Sequence, residues 1–220
     1  IYAVLFSTMT MLVSLILASL LNQLTKFRKL FRTLFFLPYI SSMVSVAVIW
    51  KMIFNPAGGP LNTILQQIGA ANPPQWLAST KWALFAVVIV SVWKSCGYYM
   101  LIFLAGLQNI PDSLYESAAL DGASSLKRYF KITLPMITPS IFLNMVLVTI
   151  NSFQVFDLVN VMTEGGPGMS TNVLSYRIYY EGFKRMNMGY ASSIAYFLFA
   201  LILAVTAVQF LMQKHWVHYD

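Results

Sequence analysis

The sequence predicts an all-α membrane protein with several spans, and three observations lead there. Of 220 residues, 58% are hydrophobic and only 10% are charged, where a soluble domain carries about 25% charged residues. A globule of this size lacks the interior to hide so much apolar surface. The apolar residues also fall into runs long enough to cross a bilayer, which takes about 20 residues. The charge that is present, net +7, collects mainly between those runs. Such a composition excludes a soluble enzyme, a disordered chain and a disulfide scaffold.

Five runs qualify as spans. The first, about residues 1–23, lies in an uncharged stretch from Ile1 to Thr25. The second, about 33–54, is uncharged from Thr33 to Trp50, and Lys51 can snorkel from its end. The third, about 82–107, is interrupted only by Lys94, and the fourth, about 137–162, only by Asp157. The fifth, about 189–212, lies in an uncharged stretch from Met186 to Gln213.

The connection after the first span holds Lys26, Arg28, Lys29 and Arg32 and no acid, whereas residues 55–80 hold no charge. The positive-inside rule therefore puts the first connection in the cytoplasm. Alternation then puts residues 108–136 and the C-terminus there as well. A chain that begins inside an apolar run, without an initiator Met, is expected to have a further span upstream. Neither a basic start nor a small-residue cleavage site marks a signal peptide. The economical count is one membrane domain over 1–220.

Little in the chain supports covalent chemistry. Cys96 has no partner for a disulfide and no His near it, so it reads as a small buried hydrophobe. His215 and His218 stand at the extreme C-terminus, away from any carboxylate cluster, so no metal site and no catalytic residue is expected. An intramembrane enzyme would need paired catalytic groups, yet Asp157 is the only acid inside a span. The positive charge fits cytoplasmic loops and anionic lipid rather than nucleic acid.

The loop 108–136 is the most specific part of the sequence. Pro111 precedes Ser113-Leu-Tyr-Glu116, a capping-box pattern that starts a helix. Ala118 and Ala119 continue it with minimal side chains, and Gly122 supplies a stop. A second short helix is predicted from Ser124 or Ser125, with Lys127, Arg128 and Lys131 forming one basic face. Pro135 and Pro139 break the path into the next span.

The order Glu116-Ser-Ala-Ala-Leu-Asp121-Gly122-Ala123, followed by Ile132-Thr-Leu-Pro135, resembles the EAA loop of membrane subunits of bacterial binding-protein-dependent ABC importers. Ser117 stands where the family pattern has its first Ala. Phe35-Phe36-Leu-Pro38-Tyr39, Ala105-Gly106-Leu107, Thr163-Glu-Gly-Gly-Pro-Gly168 and Gly189-Tyr-Ala-Ser192 extend the likeness along the whole chain. They point to the carbohydrate-type permeases of the maltose/glycerol-phosphate class.

The resemblance implies a type I importer (MetI-like) transmembrane domain whose members carry a span before these five. It implies a permease subunit in a bacterial cytoplasmic membrane, paired with a second homologous permease in a heterodimer. A cytoplasmic ABC ATPase dimer and an extracytoplasmic solute-binding protein complete the system. The ATPase would hold the ATP and Mg, with no cofactor on this chain, which has no G-x-x-x-x-G-K-[ST] phosphate loop. Ser113, Glu116, Ala118, Ala119, Asp121, Gly122 and Pro135 would then form the ATPase-coupling element. A short, rigid helix can enter a partner's groove as a unit.

A carbohydrate path should show polar and aromatic side chains inside apolar helices, because an unsatisfied polar group at membrane depth is costly. Tyr39 and Ser42 supply them in the second span, and Lys94, Ser95 and Tyr98 in the third. Asn151, Gln154 and Asp157 follow in the fourth, spaced i, i+3 and i+6 along one helical face. Packing between spans is the other reading of any one Ser or Asn. Lys94 and Asp157 could also pair with each other or with the partner subunit. A permease for a non-sugar solute, such as glycerol phosphate, a polyamine or a peptide, is the alternative. An ion-coupled secondary transporter using Lys94 and Asp157 is a more distant one.

Overall fold

The computed structural model describes residues 1–24, 26–214 and 216–217; Thr25, His215 and His218 lie outside the described residues. Among those described there is no strand.

Helix α1 (Tyr2–Gln23) opens the chain. Its buried residues, Tyr2, Phe6, Thr10, Ser14, Ala18 and Leu21, recur nearly every fourth position and so share one stripe. The stripe is more polar than the rest of the helix, which inverts the soluble-protein pattern because the opposite face is apolar and exposed. Ser14 donates to the Cys96 carbonyl at 3.0 Å and Tyr2 to the Ser91 hydroxyl at 2.8 Å, which fixes α1 along the third span.

Helices α2 (Arg28–Ile40) and α3 (Met43–Ile53) make the second run, bent by 93° at Ser41–Ser42. Pro38 lies inside α2 and removes one intrahelical donor just before the bend. A short helix α4 (Pro60–Gln67) follows in the polar connection. There Asn62 is buried, accepting from the Trp76 indole at 2.8 Å and donating to the Pro74 carbonyl.

Helix α5 (Ala83–Gln108) is the central post, far more buried than α1 or the last helix. Gly97 lets α2 approach it: a Cβ there would overlap the Phe35 carbonyl. One cluster of buried side chains, including Phe6, Val87, Val90, Tyr99, Val148 and Leu158, occupies the Tyr2 end of the bundle. A second, with Leu21, Phe103, Leu104, Leu107 and Ile137, occupies the other end.

Beyond α5 come α6 (Asp112–Leu120), α7 (Ser125–Arg128), a π-helical turn (Tyr129–Thr133) and α8 (Leu134–Met136). Helix α9 (Thr138–Phe153) turns off that segment by 64°, with Pro139 in its first turn. The predicted fourth span, 137–162, is not one helix. It stops at Phe153, is irregular over 154–156, and resumes as α10 (Asp157–Met162). Neither Pro nor Gly stands at this gap. The Ser175 hydroxyl caps the Phe153 carbonyl at 2.7 Å, and the Phe156 ring packs edge-on against Tyr179 at 5.1 Å.

Helix α11 (Leu174–Tyr179) runs into a second π-helical turn (Tyr180–Lys184). There the buried Glu181 carboxylate is clasped by Arg177 at 2.6 Å and Arg185 at 3.4 Å. Helix α12 (Met188–Gln213) comes last among the helices, its fully buried residues being Ala191 and Leu198. The Gln209 amide holds it to α9 by donating to Thr149 at 2.8 Å. Among the described residues three helices, α1, α5 and α12, are long and apolar enough to cross a membrane, and five runs are if each bent pair counts as one.

Candidate functional site

The irregular backbone of residues 154–156 opens onto a cavity of about 240 Å³. Tyr39, Ser95, Asn151, Gln154 and Asp157 line it together with Tyr2, Ser91 and Tyr99. Five of the eight residues expected on the path are therefore side by side. Tyr98 joins them indirectly, its ring stacked on Tyr39 at 4.6 Å and 11°.

Three expectations need correction. Asn151, Gln154 and Asp157 do not share one helical face, because the helix ends at Phe153 and Asp157 begins the next one. They still meet because the gap folds the chain around the cavity. Ser42 precedes the first turn of α3, makes no side-chain cap and is not in the lining. Lys94 does not pair with Asp157 and is not in the lining either.

The Lys94 ammonium donates to the carbonyls of Pro38, Tyr39 and Ser41 at 2.9, 2.9 and 2.8 Å. An ammonium has three protons, and all three are taken. The physical cause is the bend: the C-terminal end of α2 presents carbonyls with no intrahelical partner and the negative end of a helix dipole. Lys94 also lies 5.9 Å from the centroid of the Tyr39 ring. It thereby fixes the strand of backbone that carries Tyr39 to the cavity.

Three polar wall residues, Tyr2, Ser91 and Tyr99, escaped the sequence reading. The Tyr99 hydroxyl accepts from the Asn151 amide at 2.8 Å, and Tyr2 bonds Ser91 across the first and third spans. The recurrence of Tyr2, Thr10 and Ser14 every fourth or eighth residue was the available signal for the first span. For Tyr99 there was none beyond its adjacency to Tyr98. Asn144, fully buried, donates to the Tyr99 carbonyl at 3.1 Å and supports that residue from behind.

At the other end of the bundle, α6 stands out from the body. Ser113, Glu116, Ala119, Asp121 and Gly122 are exposed, while Ala118 is half-buried. The expected capping box is not formed: the helix begins two residues earlier, after Pro111, and no side chain caps it. Asp112 supplies the acidic first turn instead, which suits the helix dipole. The far end closes through Gly122 at φ +71°, with its N–H on Ala119 and that of Ala123 on Ala118. Such paired bonds need a left-handed residue, which Gly adopts without strain.

The element is anchored at one point. The half-buried Tyr115 packs on the second core cluster, and its hydroxyl is 2.9 Å from Thr133. Pro135 follows in α8, its carbonyl accepting from Thr138 at 2.8 Å. Leu120 is 90% and Leu126 71% exposed, so an apolar tip projects beyond the anchored base. The basic face is split: Lys127 and Lys131 are exposed, but Arg128 turns toward a cleft shared with Ser19, Asn22 and Tyr115. Among the described residues, no group of three or more His, Cys, Asp or Glu could hold a metal.

Over residues 10–217 the sequence matches the family described as binding-protein-dependent transport system inner membrane component. It is 39% identical over 210 residues to the probable ABC transporter permease protein YesP of Bacillus subtilis, covering 94% of this chain and 67% of that protein. It is 38% identical over 222 residues to the sn-glycerol-3-phosphate transport system permease protein UgpA of Pectobacterium atrosepticum, covering 100% of this chain and 74% of that one. Its fold superposes with a TM-score of 0.85 and 25% identity on a chain of a bacterial ABC transporter involved in the import of the acidic polysaccharide alginate. That match covers 97% of this chain and 77% of the other.

Proposed function

The chain belongs to the family of binding-protein-dependent transport system inner membrane components, and from that premise we propose that it is one permease subunit of an ATP-driven importer for a sugar or oligosaccharide. The observation that carries the proposal is the cavity at the broken fourth span. Aromatic rings, among them Tyr2, Tyr39 and Tyr99, stand there with the hydroxyls of Ser91 and Ser95 and the amides of Asn151 and Gln154. Rings suit the C–H faces of a sugar, and uncharged donors and acceptors suit its hydroxyls. Irregular backbone at membrane depth is tolerated where it lines such a cavity.

The chain performs no covalent chemistry in this reading; it is a transport subunit. ATP and Mg belong to a separate ATPase dimer that receives α6 in a groove on the cytoplasmic side. The apolar tip at Leu120 enters first, and Glu116 and Asp121 meet basic residues of that partner. Closure of the ATPases would shift α6, and Tyr115 and Pro135 would pass the movement to α5 and α9. A second, homologous permease covers the open side of the cavity, and a solute-binding protein delivers substrate from outside. Two packings of the spans, biased by the coupling element, are what alternating access requires.

Reconstitution in proteoliposomes tests this. Uptake should require ATP, the ATPase and the binding protein. Glu116→Lys and Gly122→Asp should abolish uptake while the membrane subunits remain folded. The space around Gly122 is open but its φ of +71° is strained for any side chain, so Gly122→Asp disturbs the closing turn of α6 rather than the core. Accumulation that persists without ATP, or both variants transporting normally, would refute the proposal.

A further inference from the structure

Resting on the reading of the cavity as a sugar path, we infer that the wall this chain contributes selects uncharged saccharides and rejects their anionic counterparts. The inference comes from a census of charge around the broken fourth span. One carboxylate, Asp157, lines the cavity, and no Lys or Arg does. Asp157 is exposed at the cavity and enters no ion pair among the described residues.

No cation in the lining offsets it. Lys94 is the only charged residue of the third span, and its three protons are held by the carbonyls of Pro38, Tyr39 and Ser41. Lys51, at the end of the second run, donates to the Val161 carbonyl at 3.1 Å. A uronate or phosphate ester entering the cavity therefore meets the Asp157 carboxylate and no ammonium or guanidinium in the lining. Like charges in a partly desolvated site shift affinity by at least about tenfold. Rejection by an unpaired like charge is a direct source of specificity. A neutral hydroxyl-rich solute meets no such penalty and finds the amides of Asn151 and Gln154 and the hydroxyl of Ser95.

The test uses the complete complex of both permeases and the ATPase, in phosphatidylcholine nanodiscs and without the binding protein, whose own selectivity would otherwise intervene. Matched pairs are titrated calorimetrically: neutral oligosaccharides against uronic oligosaccharides of equal length, and glycerol against glycerol 3-phosphate. The neutral member should bind at least about tenfold more tightly, and Asp157→Asn should narrow that ratio by a similar factor. Lys94→Met should weaken both members alike.

An anion bound as tightly as its neutral partner overturns the inference, as does a ratio unchanged in Asp157→Asn. So does a loss confined to the anion in Lys94→Met, since it would show the ammonium serving the substrate. Those outcomes leave the sugar reading intact. ATP-driven uptake of a non-saccharide solute alone, with no saccharide of either kind bound, would remove that reading and this inference with it.

Discussion

The second and fourth spans both break, and they are finished in opposite ways. At Ser41–Ser42 the freed carbonyls are gathered by one buried ammonium reaching across from the third span. At residues 154–156 no charged side chain gathers the backbone: the Ser175 hydroxyl caps Phe153, and the gap keeps the Gln154 N–H on Asn151 and the Phe156 carbonyl on the Asn160 N–H, while the side chains around it remain open to a cavity. The first break is closed on itself and spends its only charge internally. The second leaves Asn151, Gln154 and Asp157 exposed. Stability belongs to the former and recognition to the latter, so substitutions at the two sites should separate into folding and binding effects.

The largest effect should come from Gly97, where α5 meets the backbone of α2 just before the bend. Any Cβ would overlap the Phe35 carbonyl, so Gly97→Val should cost more than about 3 kcal/mol and prevent recovery of a folded complex. Gly189, whose Cβ would meet nothing within 4 Å, is the control: Gly189→Ala should migrate as native on fluorescence-detected size exclusion. Equal recovery of both variants would mean that the close approach of the two helices is not required.

Next is the ammonium itself. Lys94→Met keeps most of the volume but leaves the Tyr39 and Ser41 carbonyls without this donor and the Pro38 carbonyl with the Ser41 N–H alone, which should lower stability by about 3 kcal/mol, read as a fall in the thermal midpoint of the detergent-solubilised complex. Residual transport, where it survives, should show a reduced maximal rate for every substrate. An unchanged midpoint would show that the bend holds without its clamp.

What could be read from the sequence follows the range of the interaction. Gly122 ends α6 because a left-handed residue is needed there, and that requirement is local. The Tyr2, Phe6, Thr10, Ser14, Ala18 stripe was also available, as polar and small residues repeating every four positions in an otherwise apolar span. Lys94 was visible as a charge out of place, but its partners are backbone carbonyls of another helix, and nothing in side-chain identity reveals those. The break after Phe153 lacks Pro and Gly and depends on Ser175 and Tyr179, more than twenty residues further along. An uninterrupted helix was therefore the natural expectation, and the shared face of Asn151, Gln154 and Asp157 failed with it. Their convergence on one cavity survived because they flank the gap closely in sequence.

At the open break, Asn151→Leu should act mainly on recognition. It removes an amide from the lining and the donor to Tyr99, so KM for uptake should rise about tenfold, a change of about 1.4 kcal/mol. The thermal midpoint should move little, because the residue is exposed at the cavity. A drop in midpoint comparable to that of Lys94→Met would erase the distinction between the two breaks.

The smallest effect should be that of Tyr99→Phe, and it is the sharpest test of how the open break is organised. The Tyr99 ring is buried, and its hydroxyl is fixed by the Asn151 amide at 2.8 Å. Losing that hydroxyl removes one neutral hydrogen bond, about 1 kcal/mol at most. The amide can rebond to water in the cavity, so the measured loss should be smaller still. If the role of Tyr99 is to aim Asn151, then KM should rise about threefold in Tyr99→Phe, and adding Asn151→Leu should bring no further loss beyond that of Asn151→Leu alone. Additive losses in the double-mutant cycle would mean that the Tyr99 hydroxyl contacts the solute on its own account rather than through Asn151.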